Sequence, residues 1–176
     1  MPILTNLEIE NFLHEDPAPL LRLATIDKDG MPRNVPIWFI YDEGMIKFTP
    51  RANSVFLHNL LRDPRCAMTI DEAVLPYRKV TLQGQARLLF GTGNDDAWRD
   101  LYRDIAKRYV EDQAAEDYVT NTIDQPRALF GLPLHGDDVK TVTWRMPLED
   151  EDPTGIWHRR YYLDNTIMAN IADGKG

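Results

Sequence analysis

The sequence predicts a mainly β protein with peripheral helices, folded as a small antiparallel barrel. Three observations carry this. Residues 78–90 alternate over a long stretch, with Val80, Leu82, Gly84, Ala86, Leu88 and Phe90 on one face and Thr81, Gln83, Gln85 and Arg87 on the other. That is the period of a half-buried strand. Two tight-turn signals, Asp27-Lys28-Asp29-Gly30 and Asp42-Glu43-Gly44, separate short apolar runs early in the chain, as hairpins require. About seven such runs occur in all, with a pair of helices inserted before the last two, and that arrangement suits a small antiparallel barrel.

The elements follow in order. Leu7–Glu15 reads as a short helix, because Leu7, Ile9, Phe12 and Leu13 share much of one face and Pro17 and Pro19 forbid continuation. Leu20–Ile26 is the first strand, and Gly30 supplies the positive φ of the turn after it. Asn34–Tyr41 is the second. It is apolar on both faces, with Val35, Ile37, Phe39 and Tyr41 on one and Pro36, Trp38 and Ile40 on the other. A strand of that kind needs a cover, such as a partner subunit or a ligand. Pro36 cannot donate to a ladder, which places an edge or a bulge there. Met45–Thr49 and Cys66–Asp71 are further strands, on either side of a short helix. Asn94–Tyr109 is the clearest helix, with Trp98, Leu101, Tyr102, Ile105 and Tyr109 in one stripe and Asn94 as its cap. A second short helix spans Ala114–Val119, and Ala128–Leu134 and Asp138–Met146 close the barrel. Residues 1–146 thus read as one domain. Beyond them the acidic run Glu149-Asp150-Glu151-Asp152 and the apolar segments Ile156–Tyr162 and Thr166–Ala172 read as an arm, 147–176, that docks on the body or on a second subunit.

Composition narrows the function. A net charge of −8 disfavours nucleic acid, whose phosphates need a basic surface. One cysteine, Cys66, allows no internal disulfide and suits a reducing, cytoplasmic setting. The first residues show no basic region followed by an apolar run, so no secretory signal is read. No apolar run approaches the roughly 20 residues that span a bilayer. The four histidines, His14, His58, His135 and His158, show no metal-ligand spacing. Cys66 enters a strand, where a thiol usually fills core. No Gly-x-Ser-x-Gly elbow occurs, and Gly91-Thr92-Gly93 lacks the third glycine of a dinucleotide fingerprint. The adjacent pairs Asp95-Asp96 and Asp137-Asp138 read as caps and turns.

The stretch Phe48–Cys66 organises what remains. A strand end, Phe48-Thr49, runs into the polar turn Pro50-Arg51-Ala52-Asn53. Ser54 then caps a helix that Asp63-Pro64 stops. The start of that helix offers free backbone N–H groups and a favourable dipole to an anion, with Arg51 beside it. Trp38 could cover an aromatic ring. Arg78 and Lys79 add positive charge at the head of the long strand. Together these residues suggest a flat ligand bearing a phosphate.

The chain resembles the FMN-binding split-barrel superfamily, the pyridoxamine-phosphate-oxidase-like flavin and deazaflavin oxidoreductases. The matching pieces are LEIENFL, LLRLATIDKDGMPRNVPIWFIYDEG, MIKFTPRANS, LHNLLRDPRC, RKVTLQGQARL, AWRDLYRDIAKRY and DVKTVTW, which cover about Leu7 to Arg145. The resemblance implies a homodimer of six- to seven-stranded split barrels with a cofactor in each of two grooves between subunits. It implies an oxidoreductase using FMN; the alternatives are a deazaflavin reductase, a non-catalytic flavin- or haem-binding protein with His58 as the first haem ligand to test, and an assembly scaffold with an empty groove and no cofactor. By position, Val35, Pro36, Ile37 and Trp38 would line the ring. Phe48, Thr49, Arg51 and Ser54 would approach the ring edge and phosphate. Arg78 and Lys79 would reach the cofactor, often from the other subunit, and Trp144 would close the site. One departure matters: relatives follow the Ser54 position with a basic pair, and here Val55 and Phe56 stand there.

Overall fold

A computed structural model describes residues 2–149, 151 and 162–174. Among the described residues, nine strands form two antiparallel sheets. They are β1 (Leu21–Ile26), β2 (Pro32–Ile37), β3 (Ile40–Asp42), β4 (Met45–Phe48), β5 (Arg65–Asp71), β6 (Lys79–Gln85), β7 (Arg87–Phe90), β8 (Leu129–Pro133) and β9 (Lys140–Trp144). One sheet runs in the order β2-β1-β5-β6-β9 and the other β3-β4-β8-β7. The described α-helices are α1 (Asn6–Leu13), α2 (Val55–Arg62), α3 (Arg99–Lys107), α4 (Asp112–Asn121) and α5 (Ile167–Ala172).

Two of the long sequence runs are each divided between the sheets, which raises the strand count from about seven to nine. The first run pairs with β1 as far as Ile37 and then leaves at Trp38-Phe39, resuming as β3 in the other sheet. The odd-numbered residues keep the inward face throughout. Phe39 and Tyr41 are buried, and Val35 and Ile37 pack partly against the core. β2 is an outer strand of its sheet, so the missing N–H of Pro36 costs no ladder bond. The second run divides at Ala86, whose N–H bonds the Pro64 carbonyl instead of continuing a ladder. Beyond it β7 belongs to the other sheet and is bulged between Leu88 and Phe90. The expectation that all six alternating residues share one buried face therefore holds only to Ala86. Leu88 and Phe90 are 48% and 38% exposed, and Leu89 turns inward.

Among the described residues the starts of α1, α2 and α5 carry side-chain caps, while those of α3 and α4 do not. Thr5 and Glu8 form a reciprocal capping box on α1, and Ser54 caps α2. The Asn94 cap is not formed. The segment Asp95–Trp98 is a 3-10 turn, because the Asp95 carboxylate accepts from the backbone N–H of Gly93 and of Arg127 rather than serving the helix end. In the turn before β4, Glu43 and Gly44 both have positive φ, 50° and 73°, the geometry of a two-residue hairpin.

The core between the sheets contains Phe12, Phe39, Phe48 and Phe130, all fully buried; each such side chain contributes on the order of 2–3 kcal/mol. Cys66 lies in it, and burial pushes its thiol up to about 11, with a backbone bond from Ala86 opposing only weakly. A second cluster forms where α3 and α4 cover the smaller sheet: Trp98, Tyr102, Val119 and Leu129, with Leu89, Leu101 and Tyr118 against them. After β9, Arg145 binds Glu8 and Glu151, which ties the start of the acidic segment to α1. The reading of Ile156–Tyr162 as part of a docking arm falls, apart from Tyr162, outside the described residues. Within Thr166–Ala172, Thr166 caps α5 and Ala169 is buried. No helix among the described residues is long and apolar enough to cross a membrane.

Candidate functional site

A cleft of about 290 Å³ opens where the two sheets part at Trp38, and Pro36, Ile37, Trp38, Thr49, Arg51, Ser54, Phe56, Tyr102, Tyr118 and Arg127 line it. The break between β2 and β3 explains one wall. Tyr109, on the turn after α3, accepts from the Phe39 N–H at 3.2 Å and donates to the Pro19 carbonyl at 2.9 Å. Arg108 donates to the carbonyls of Phe39 and Leu13 at 2.9 and 2.6 Å. Those bonds satisfy the backbone where the ladder stops. They also place the Tyr109 ring parallel to Trp38, with centroids 5.2 Å apart and an angle of 2° between the planes. Trp38 thus stands as a braced, half-buried aromatic plate at the cleft.

The opposite wall comes from the turn before α2. Ser54 Oγ donates to the Arg51 carbonyl at 2.8 Å and accepts the Leu57 N–H at 3.4 Å. The N–H groups of Val55 and Phe56, in the first turn, have no partner among the described residues and are the donors a helix start leaves open. Arg51 pairs across an isolated antiparallel bridge with Arg127. Ala52 donates to the Pro126 carbonyl at 2.8 Å and Ala128 to Pro50 at 3.0 Å. The two arginines are therefore a non-hydrogen-bonded pair, the register that brings side chains closest.

Tyr118, on α4, closes the space between them. Its hydroxyl accepts from Arg51 Nη2 at 2.9 Å and from Arg127 Nη2 at 3.3 Å, and its ring meets Trp38 edge-on at 5.2 Å. Burial opposes ionisation of Tyr118, but the Tyr102 hydroxyl and the guanidinium groups of Arg127 and Arg51 outweigh it and lower its pKa from 10. Tyr102 moves the other way, chiefly through burial.

Of the residues singled out from sequence, the cleft gathers Pro36, Ile37, Trp38, Thr49, Arg51 and Ser54. The others lie elsewhere in the chain. Val35 packs against the core, and Phe48 is wholly inside it, stacked on Phe130. Arg78 is bound to Glu15 and Glu72. Lys79 sits 4.6 Å over the Trp144 ring, across the β6–β9 ladder. His58 is exposed on α2. Sequence reasoning missed Tyr102, Tyr118 and Arg127. The one signal for Arg127 was a cation set between Pro126 and an apolar run that becomes a buried strand.

The sequence model of the pyridoxamine 5'-phosphate oxidase family matches residues 7–134. With nearly three-quarters of its length matched, the chain belongs to that family. Solved structures agree on the fold. A conserved hypothetical protein, Rv2991 from Mycobacterium tuberculosis, is similar with a TM-score of 0.64 and 21% identity, over 86% of this chain and 94% of that one. A FAD-binding protein from Mesorhizobium loti gives 0.55 and 17%, over 81% and 97%. The haem storage protein HutZ from Vibrio cholerae gives 0.57 and 18%, over 78% and 94%. No curated protein matches the sequence.

Proposed function

We propose that the chain is a flavin-dependent oxidoreductase that holds FMN in the cleft between Trp38 and the start of α2, at a seam between two copies. The observation that carries this is one cleft combining a braced aromatic plate with two arginines and a capped helix start. The residues fit the group. Trp38, Pro36 and Ile37 offer apolar surface and open backbone to a planar ring, while Arg51, Arg127, Ser54 and the first turn of α2 offer donors to its phosphate. A flavin bound there supplies hydride or single-electron transfer. The protein's part is to hold the ring, fix its orientation and keep water from one face. Among the described residues the lining includes no histidine or carboxylate, and its phenols are Tyr102 and Tyr118.

FMN is favoured over a deazaflavin with a polyanionic tail. The adjoining hollow of about 350 Å³, beyond Arg51 and Ser54, carries Asp124 among Ala52, Asn53, Gln125 and Pro126, and a carboxylate there repels such a tail. Haem is less well supported in this cleft, since His58 does not line it. The homodimer is supported by the half-uncovered apolar residues of outer strand β2 and by Leu88 and Phe90 on the surface of β7. Arg78, Lys79 and Trp144 belong to this reading only as contributions from a partner subunit.

The test is the visible spectrum of the purified protein, before and after incubation with FMN and gel filtration, alongside its mass by light scattering. A flavin spectrum that travels with a dimer supports the proposal. A colourless protein after incubation, or a monomer retaining full flavin, counts against it.

A further inference from the structure

We infer that Arg127 is a ligand-binding residue, forming with Arg51 a two-guanidinium receptor for a phosphate monoester at the inner end of the cleft. This rests on the flavin reading above and specifies which side chains take the anionic end.

The argument starts from backbone pairing. Arg51 and Arg127 face one another across a bridge of the closest register, and like charges so placed are destabilising. Their surroundings offer little relief. Arg127 is only 5% exposed, and neither arginine has a carboxylate within ion-pairing distance among the described residues, although the chain carries a net −8. The Asp95 carboxylate accepts from the backbone N–H of Arg127, not from its guanidinium. The bonds that guanidinium does make are long, 3.4 Å to the Thr49 carbonyl and 3.3 Å to the Tyr118 hydroxyl. Good N–H···O bonds run from about 2.7 to 3.2 Å. Its Nε is buried and has no hydrogen-bond partner among the described residues. What compensates the charge is aromatic: Arg127 lies 4.5 Å from the Tyr102 ring centroid and 5.6 Å from that of Tyr118.

A buried cation facing another, with weak neutral partners, is a site built for an anion. The Tyr118 hydroxyl occupies the focus of both guanidinium groups, where a phosphate oxygen would accept the same bonds. Its lowered pKa reflects the same positive potential. The receptor also explains how the helix start can serve a phosphate with Val55 and Phe56 in its first turn. The positive charge arrives across the bridge, from the segment before β8, instead of from α2 itself.

The experiment compares FMN with riboflavin, the same ring without the phosphate, by fluorescence titration of the full chain. Inorganic phosphate is added separately in a thermal-shift assay. Wild type is expected to prefer FMN by about 100-fold or more, as two charge-assisted bonds imply. Arg127→Met is expected to lose about 10- to 100-fold in FMN affinity, to leave riboflavin affinity unchanged within about twofold, and to abolish the phosphate-induced rise in melting temperature. Arg127→Lys should retain part of the preference, and circular dichroism establishes that each variant is folded. A folded Arg127→Met that keeps the whole preference overturns the inference while leaving the flavin reading intact. If wild type binds neither flavin, the flavin reading fails, and the phosphate arm decides the receptor alone. Stabilisation that depends on Arg127 supports it, and absence of stabilisation overturns it.

Discussion

Arg78 and Arg127 are both sheltered arginines lying against aromatic rings, yet they are held in opposite ways. Arg78 sits 4.9 Å from the Phe12 ring centroid and reaches Glu72 at 2.9 and 2.5 Å and Glu15 at 2.8 and 2.9 Å. Its Nε and Nη2 both donate to carboxylates. Arg127 meets a carbonyl, a phenol and another arginine. The first arrangement is complete within the chain and joins α1 to the loop before β6. The second is complete only with a negative group from outside. The contrast teaches that residue type and burial do not separate a structural arginine from a binding one; the sign of what surrounds it does.

The comparison is most easily broken by stability. Arg78→Met should destabilise the protein by roughly 2–4 kcal/mol, because it leaves the Glu72 carboxylate, with a side chain 9% exposed, without its counter-ion. Arg127→Met should cost less than about 1 kcal/mol or stabilise, since it removes a like-charge pair. Denaturant midpoints measure both, and equal costs would erase the distinction drawn here. A second test restores the missing charge: Phe56→Lys should tighten FMN binding about tenfold and should offset part of the loss in Arg127→Met. Fluorescence quenching reads both, and an unchanged dissociation constant would move the phosphate away from this turn.

Acid should act on the Arg78 region. Burial alone would raise the Glu72 carboxyl, but the bonds from the Arg78 side chain and N–H prevail and hold it below 4.5. A depressed folded pKa means the stabilisation is fully present above that unfolded value and is lost as pH falls through the folded one. The gap in melting temperature between wild type and Glu72→Gln should therefore be widest near neutrality and close below about pH 4.5. The smallest effect expected is at the alkaline end. Tyr118 should ionise below 10, and saturating phosphate should move that step upward by screening the arginines. Ultraviolet titration, with Tyr118→Phe to assign the step, checks the shift.

Much of this was legible beforehand because it is local. The turn at Asp27–Gly30, the Ser54 cap and the amphipathic stripe of Trp98, Tyr102 and Ile105 each depend on a few neighbouring residues. Half of the cleft was legible for the same reason, since Thr49, Arg51 and Ser54 lie within one turn. The other half depends on distant pairing. Nothing near Arg127 announces that the chain will return alongside Arg51, 76 positions earlier, nor that α4 will deliver Tyr118 between them. The division of residues 34–41 and 78–90 between two sheets is likewise a tertiary event. Alternation persists across the break, so periodicity shows one strand where the fold makes two.

The parallel stacking of Trp38 on Tyr109, with Tyr118 edge-on to it, has a practical consequence. The indole sits between a fixed neighbour and one that must shift when an anion displaces its hydroxyl. With the arginine pair as an anion receptor, the emission of Trp38, one of four tryptophans in the chain, is expected to shift when a colourless phosphorylated compound fills it, and Trp38→Phe should remove that shift.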